Sequence, residues 1–245
     1  MLDSNGSEII ENAVRKGGVS IVTGSSVQRI MGKVENDQSV GSVFLTNGQQ
    51  VSCDVVIVAI GVIPRTELVE GTEVKLNRGI LVNNCMQTSV PDVYASGDVA
   101  EAWDFTLSQN RLLPLWPLAV AQGKVAGYNM AGNKTEYAGG TNMSSLKYFG
   151  VPVVSIGIAN PKDQNAFEVL VKHDPEKNLY KKIVLKDNVI AGITLVNEIE
   201  RAGTLFYLMK NHVNVKRFKQ ELVSEDFGLA MLPANLRRIM CSGCA

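Results

Sequence analysis

Hydrophobic and polar positions divide the chain into two regimes. Early on, Ile9, Ile10, Ala13 and Val14 recur at helical spacing, predicting a helix over residues 7–16. Ser4 or Ser7 is available as its cap and Gly17-Gly18 as its stop. Residues 19–22 read as a short strand. Residues 27–34 and 40–45 read as paired strands around the polar turn Glu35-Asn36-Asp37-Gln38, and Asn47-Gly48 is a tight-turn signal. Residues 55–60 are apolar without a break, as expected of a strand covered on both faces.

The middle of the chain is punctuated more heavily. Residues 80–82 predict a short strand after a turn at Arg78-Gly79. Thr88-Ser89-Val90-Pro91-Asp92 is a run of turn formers leading into a short buried strand at 93–95. That strand ends at Ser96-Gly97-Asp98, and the chain then reads as irregular up to Trp116. A helix follows from Leu118 to about Ala131, with Pro117 suited to its first turn and Ala119, Ala121, Gly123, Ala126 and Gly127 giving it a small-residue surface. Residues 132–144, rich in Gly, Asn, Thr and Ser, read as a linker.

The second regime lies beyond the linker. Residues 151–158, 167–172, 179–185 and 189–196 are four strand candidates separated by turns at 174–178 and 187–188. Short connections between neighbouring strands mean an antiparallel sheet. A helix over 198–211 presents Ile199, Ala202, Leu205, Phe206 and Met209 on one face. The expected fold class is α/β plus α+β: the α/β part resembles partial Rossmann-like domains, and a small antiparallel sheet with a helix follows.

Composition narrows the function classes. The chain has 245 residues, and Lys plus Arg equals Asp plus Glu at 24 each, so no net field favours nucleic acid or a membrane surface. No apolar run approaches the roughly 20 residues needed to cross a bilayer. Four cysteines in a chain of this length are not a disulfide framework, and the chain reads as cytoplasmic.

Candidate chemistry is sparse. An ionised Asp98 can only accept hydrogen bonds, from a ligand hydroxyl or N–H or, equally on residue type, from a helix start that it caps. Trp116 on residue type alone reads as core, and Gly61 as part of a loop between sheets. His173 and His212 sit beside turns and read as surface residues. Glu198 and Glu200 diverge on their helix. Cys53 and Cys85 are isolated. Cys241-Ser242-Gly243-Cys244 has redox or half-metal-site spacing, but no chain follows to form the helix that would lower the thiol pKa, so a frayed terminus or an incidental disulfide is the favoured reading. No catalytic residue and no metal site is assigned.

Three stretches taken in order carry a resemblance: residues 55–68 through Gly61-Val62-Ile63-Pro64, residues 86–101 through Tyr94-Ala95-Ser96-Gly97-Asp98, and residues 116–132 through Trp116-Pro117-Leu118-Ala119. Together they resemble the FAD-dependent pyridine nucleotide-disulfide oxidoreductases, in the branch of NADH oxidases, rubredoxin or ferredoxin reductases and nitrite reductases. The resemblance implies the second half of an NAD(P)-binding domain at 1–63, the end of an FAD-binding domain at 64–135 and an interface domain that makes a homodimer at 141–245. It implies that Asp98, beside Gly97, holds the flavin ribityl chain. It places Trp116, Leu118 and Ala119 against the flavin ring, with free N–H groups near Leu118 and Ala119 favouring negative charge there, and Gly61 where the two nucleotide domains meet. The implied activity is hydride transfer from NAD(P)H to FAD and onward to an unidentified acceptor. No Gly-x-Gly-x-x-Gly fingerprint stands in the sequence, so both cofactor sites are expected to be incomplete and an amino-terminal half to be missing. The rival expectation is a redox-inactive dimerisation or partner-binding module.

Overall fold

The strongest apolar runs of the carboxyl-terminal third form the sheet they predict. The computed structural model describes residues 2–33, 38–161, 163 and 165–242, the side chains of 241 and 242 excepted. The chain divides into two compact units, Gly18–Ile63 on the one hand and Met1–Gly17 with Pro64–Ala245 on the other.

In the larger unit, β8 (Val151–Gly157), β9 (Glu168–Asp174), β10 (Leu179–Lys186) and β11 (Val189–Val196) are antiparallel, joined by a fifth strand, β7 (Met143–Tyr148), in the order β7-β8-β11-β10-β9. Asp187 and Asn188 both have positive φ, the two-residue turn that matches strand twist. β7 overlaps the expected linker only at Met143 and Ser144, and has no counterpart among the strands expected from the sequence. It is a half-exposed edge strand whose Ser144, Ser145 and Lys147 hide the alternation. Helix α3 (Ala202–Lys210) packs Leu205, Leu208 and Met209 onto Ile183, Ile193 and Leu195. It starts four residues later than expected because residues 198 and 199 are irregular and 200–201 form a turn.

Helix α1 (Ser4–Lys16) belongs to this same unit. Its Ile9 packs with Val153, Tyr180 and Val196. Neither serine caps it: Asp3 accepts from Gly6 N–H at 3.1 Å. The other Asp3 oxygen accepts from the Tyr180 hydroxyl and, at 2.7 Å, from Lys182 Nζ, a buried ammonium that also donates to Asn160 Oδ1. Burial pushes the Asp3 carboxyl up, but the hydrogen bonds from Lys182, Tyr180 and Gly6 outweigh it and hold the pKa below the ordinary aspartate value. The contribution to stability is therefore complete above the unfolded value of about 4 and is lost as pH falls through the lower folded value. Asp3→Asn is expected to flatten this acid limb. Thermal midpoints followed from neutral pH down to about pH 2 check it, and an acid slope unchanged by the substitution contradicts it.

The larger unit also holds a small sheet, β4 (Ile80–Leu81), β5 (Ala100–Asp104) and β6 (Gln109–Leu112), backed by α2 (Trp116–Met130). β4 and β5 are parallel, and β5 and β6 are antiparallel. The stretch expected to be irregular after Asp98 is thus largely a hairpin. Its Glu101 and Asp104 are buried carboxylates that a hydropathy pattern reads as loop. Residues 93–95, expected as a buried strand, make one isolated bridge, Tyr94 to Gln87, and Val93 is exposed. The turn around Pro91 stands as expected, with Val93 N–H donating to Val90 O.

The smaller unit holds β1 (Val27–Gly32), β2 (Val40–Leu45) and β3 (Gln50–Ser52) in one antiparallel sheet. Gly48, at φ +85°, turns β2 into β3, and Arg29 stacks on the Phe44 ring. Of the expected turn after β1, Glu35, Asn36 and Asp37 lie outside the described residues. Residues 19–22 form no strand. Nor do residues 55–60: Ile57 is 86% and Ile60 93% exposed. The run has strand composition, but no described strand pairs with either of its edges, so the expected burial is absent.

Candidate functional site

The candidate residues of the larger unit gather where a short 3₁₀ turn, Gly97–Val99, meets the first turns of α2. Gly97 is needed there. Its φ is +78°, a region L side chains rarely adopt, and its N–H donates at 2.8 Å to Oε1 of the buried Gln122. This bond ties the turn to the helix across 25 residues of chain. Gly123, one position on, faces Ser96 with only an ordinary van der Waals gap for an added Cβ.

Asp98 projects from this turn into solvent. Its side chain has no hydrogen bond or ion pair among the described residues, and the backbone that follows is β5. It caps no helix, so the capping alternative is not realised. Trp116 is 84% exposed, so its side chain is not core. Leu118 and Ala119 are half-buried on the same helix turn. Their N–H groups, expected to be free, both donate to Leu115 O, at 3.0 and 2.9 Å. Leu115, as the residue before the helix, turns its carbonyl inward, and Pro117 has no N–H, so little of the first turn is open to a ligand except through its dipole. Gly61 lies in the other compact unit, at φ +111° and exposed.

Two residues that hold the site were not found from the sequence. Gln122 reads as one polar residue on a small-residue helix. Its only signal is that it shares a face with Ala119, Gly123 and Ala126. Glu101 reads as part of an irregular segment. In the fold it is buried and accepts three hydrogen bonds: from Arg78 N–H at 2.6 Å, Gly79 N–H at 2.7 Å and Asn77 Nδ2 at 3.2 Å. Gly79 is obligatory at this contact, since a Cβ would stand 2.5 Å from Val99 O. Glu101 thereby clamps the turn before β4 to β5 and fixes the exit of the Asp98 turn.

The Gly97–Asp98 turn fits one part of a flavin cofactor. With Trp116 beside it in the chain's next helix, it offers an unpartnered carboxylate for a hydroxyl-bearing chain, a glycine without a side chain and an exposed indole for a ring. It supplies nothing for a pyrophosphate, and no glycine-rich turn does so elsewhere in the sequence. Cys53 and Cys85 are free thiols. Cys244 lies outside the described residues, as does the side chain of Cys241.

Comparison with known proteins identifies matches along most of the chain. The family model for pyridine nucleotide-disulphide oxidoreductase matches residues 1–123, and that for the rubredoxin NAD+ reductase C-terminal domain matches residues 143–213. The chain is 27% identical to the nitrite reductase [NAD(P)H] of Bacillus subtilis (strain 168) over 99% of its own length and 29% of that protein. It is 30% identical to the NADH-dependent phenylglyoxylate dehydrogenase subunit epsilon of Aromatoleum evansii over 93% of its length and 53% of that protein. Among solved structures, the water-forming NADH oxidase of Lactobacillus brevis bound to NADH superposes with a TM-score of 0.78 at 23% identity, over 99% of this chain and 56% of that one. The chain thus spans about a third to a half of the length of the curated relatives it matches.

Proposed function

Because the chain belongs to the pyridine nucleotide-disulphide oxidoreductase family, we propose that it forms a portion of a flavin-dependent enzyme taking hydride from NAD(P)H and passing electrons to an acceptor. The observation that carries this reading is the unpartnered Asp98 on a turn locked to α2 through Gly97 and Gln122. The flavin, when bound, supplies the two-electron exchange with NAD(P)H. The chain's own residues supply position. Asp98 accepts a hydrogen bond from a ribityl hydroxyl. Gly97 lets that chain approach the backbone, and Trp116 lies against the ring. The positive end of the α2 dipole, acting through the first helical turn, favours negative charge at the ring.

The finer parts of the reading have their own support. Residues 1–63 and 64–135 are read as the ends of the NAD(P)- and FAD-binding domains, and residues 141–245 as an interface domain through which two copies pair. The exposed Leu146 and Phe149 along the β7 edge supply apolar surface for that pairing. The bare apolar run at 55–63 is read as an edge awaiting further strands of the same fold. A cytoplasmic setting accords with two free thiols among the described residues. No described helix is long and apolar enough to cross a membrane.

Asp98→Ala, in the chain complemented with the amino-terminal portion of a relative, is expected to weaken FAD binding roughly ten- to a hundredfold, the loss of one charge-assisted hydrogen bond. An FAD titration of the folded variant measures it, and an unchanged dissociation constant removes Asp98 from the cofactor site.

A further inference from the structure

Behind the first turns of α2 lies a cavity of about 500 Å³, within the range that holds small ligands. Leu118, Ala121 and Val125 of α2, Phe105 after β5 and Phe206 of α3 make its walls apolar. Its lining carries one charge of each sign, Glu136 and Lys210, and so attracts neither anions nor cations at range. The polar group in its lining that stands out is Tyr137. That residue is 6% exposed, and its phenol oxygen is buried without any hydrogen-bond partner. The oxygen lies over Gly140, 2.6 Å from where a Cβ would stand, with a Leu118 methyl at the same distance from that point. Glycine at 140 therefore leaves room for the phenol, and Leu118, Tyr137 and Gly140 together line the cavity. Burial pushes the Tyr137 pKa up, opposed by the Gln122 side chain and reinforced by Asp104, so the phenol stays a neutral donor.

We propose that this cavity binds a flat, uncharged aromatic carbonyl compound whose oxygen accepts the hydrogen bond that Tyr137 has no other group to receive. The apolar walls select the ring, the absence of a net charge in the lining disfavours ions, and the buried phenol donor selects the carbonyl. The site shares Leu118 with the turn assigned to the flavin, but Gly97, Asp98, Trp116 and Ala119 are not in its lining. It does not depend on the flavin assignment.

The test uses the whole chain and the naphthyl ketone dye Prodan, whose emission shifts to the blue in apolar surroundings. A single saturable site with blue-shifted emission is expected. Ala121→Phe, which fills the cavity from the helix, should weaken binding at least about tenfold. Tyr137→Phe removes only the hydroxyl and keeps the ring, and a circular dichroism spectrum matching that of the parent chain shows that it folds. It should weaken binding by about three- to tenfold. Excess FAD should leave the dye bound. Dye binding that neither substitution alters, or that FAD displaces, overturns the proposal. Failure of FAD itself to bind leaves the dye result standing and counts only against the flavin assignment.

Discussion

Replacing Glu101 by alanine is expected to destabilise the larger unit by about 3–5 kcal/mol. The carboxylate accepts three hydrogen bonds in a buried position, two of them from the consecutive N–H groups of Arg78 and Gly79. Alanine leaves those donors without acceptors, each at about 1–3 kcal/mol, and opens a gap between β4 and β5. Glu101→Gln keeps one acceptor oxygen at the same reach and should lose roughly half as much. Trp103, on the same strand, reports the transition in urea by its fluorescence. Because β5 begins where the Gly97–Val99 turn ends, Glu101→Ala should also weaken whatever Asp98 holds. A loss in stability below about 1 kcal/mol would show that the buried carboxylate is dispensable.

Gly192→Ala is expected to have an effect of similar size in the carboxyl-terminal sheet. A Cβ there would stand 1.9 Å from Ile158 O, a backbone atom that cannot swing aside like a side chain. Gly192 pairs with Gly157, where the chain leaves β8 at φ +67° and Ile158 N–H bonds to Ala191 O at 2.9 Å. Two glycines thus allow a close crossing of two backbones at the sheet's centre. Forcing a methyl between them should cost about 3 kcal/mol, the upper end for overpacking. Gly203→Ala is the matched control. It lies in α3 with nothing within 4 Å of its added Cβ, and it should be neutral or stabilising by up to about 1 kcal/mol. Equal denaturation midpoints for the two alanine variants would contradict the close-crossing argument.

These residues also show what the sequence made legible and what it hid. The β8 to β11 runs could be read because each is apolar and ends in residues that take positive φ, Asp187 and Asn188 among them. β7 was hidden because an edge strand is wetted on more than one side and tolerates serine and lysine. β5 was hidden because Glu101 and Asp104 are buried by backbone partners that hydropathy cannot register. Residues 55–60 show the opposite error, since strand composition predicts a strand only if another strand stands beside it. At the site, Gly97 and Asp98 were visible through the resemblance of the whole stretch rather than through their chemistry. Gln122, 25 residues away in the chain, became visible only when the fold brought its amide to the Gly97 N–H.

The most direct test of the flavin assignment is the visible absorption spectrum of the purified chain, alone and after mixing with an amino-terminal polypeptide that carries the glycine-rich fingerprint. Gly97 and Asp98 reach only the middle of the cofactor, so the chain alone is expected to be colourless or to hold far less than one flavin. The mixture should show the flavin bands at close to one per chain and oxidise NAD(P)H with a dye acceptor. One tightly bound FAD on the chain alone, or a mixture that stays colourless although both polypeptides are folded, would contradict the assignment.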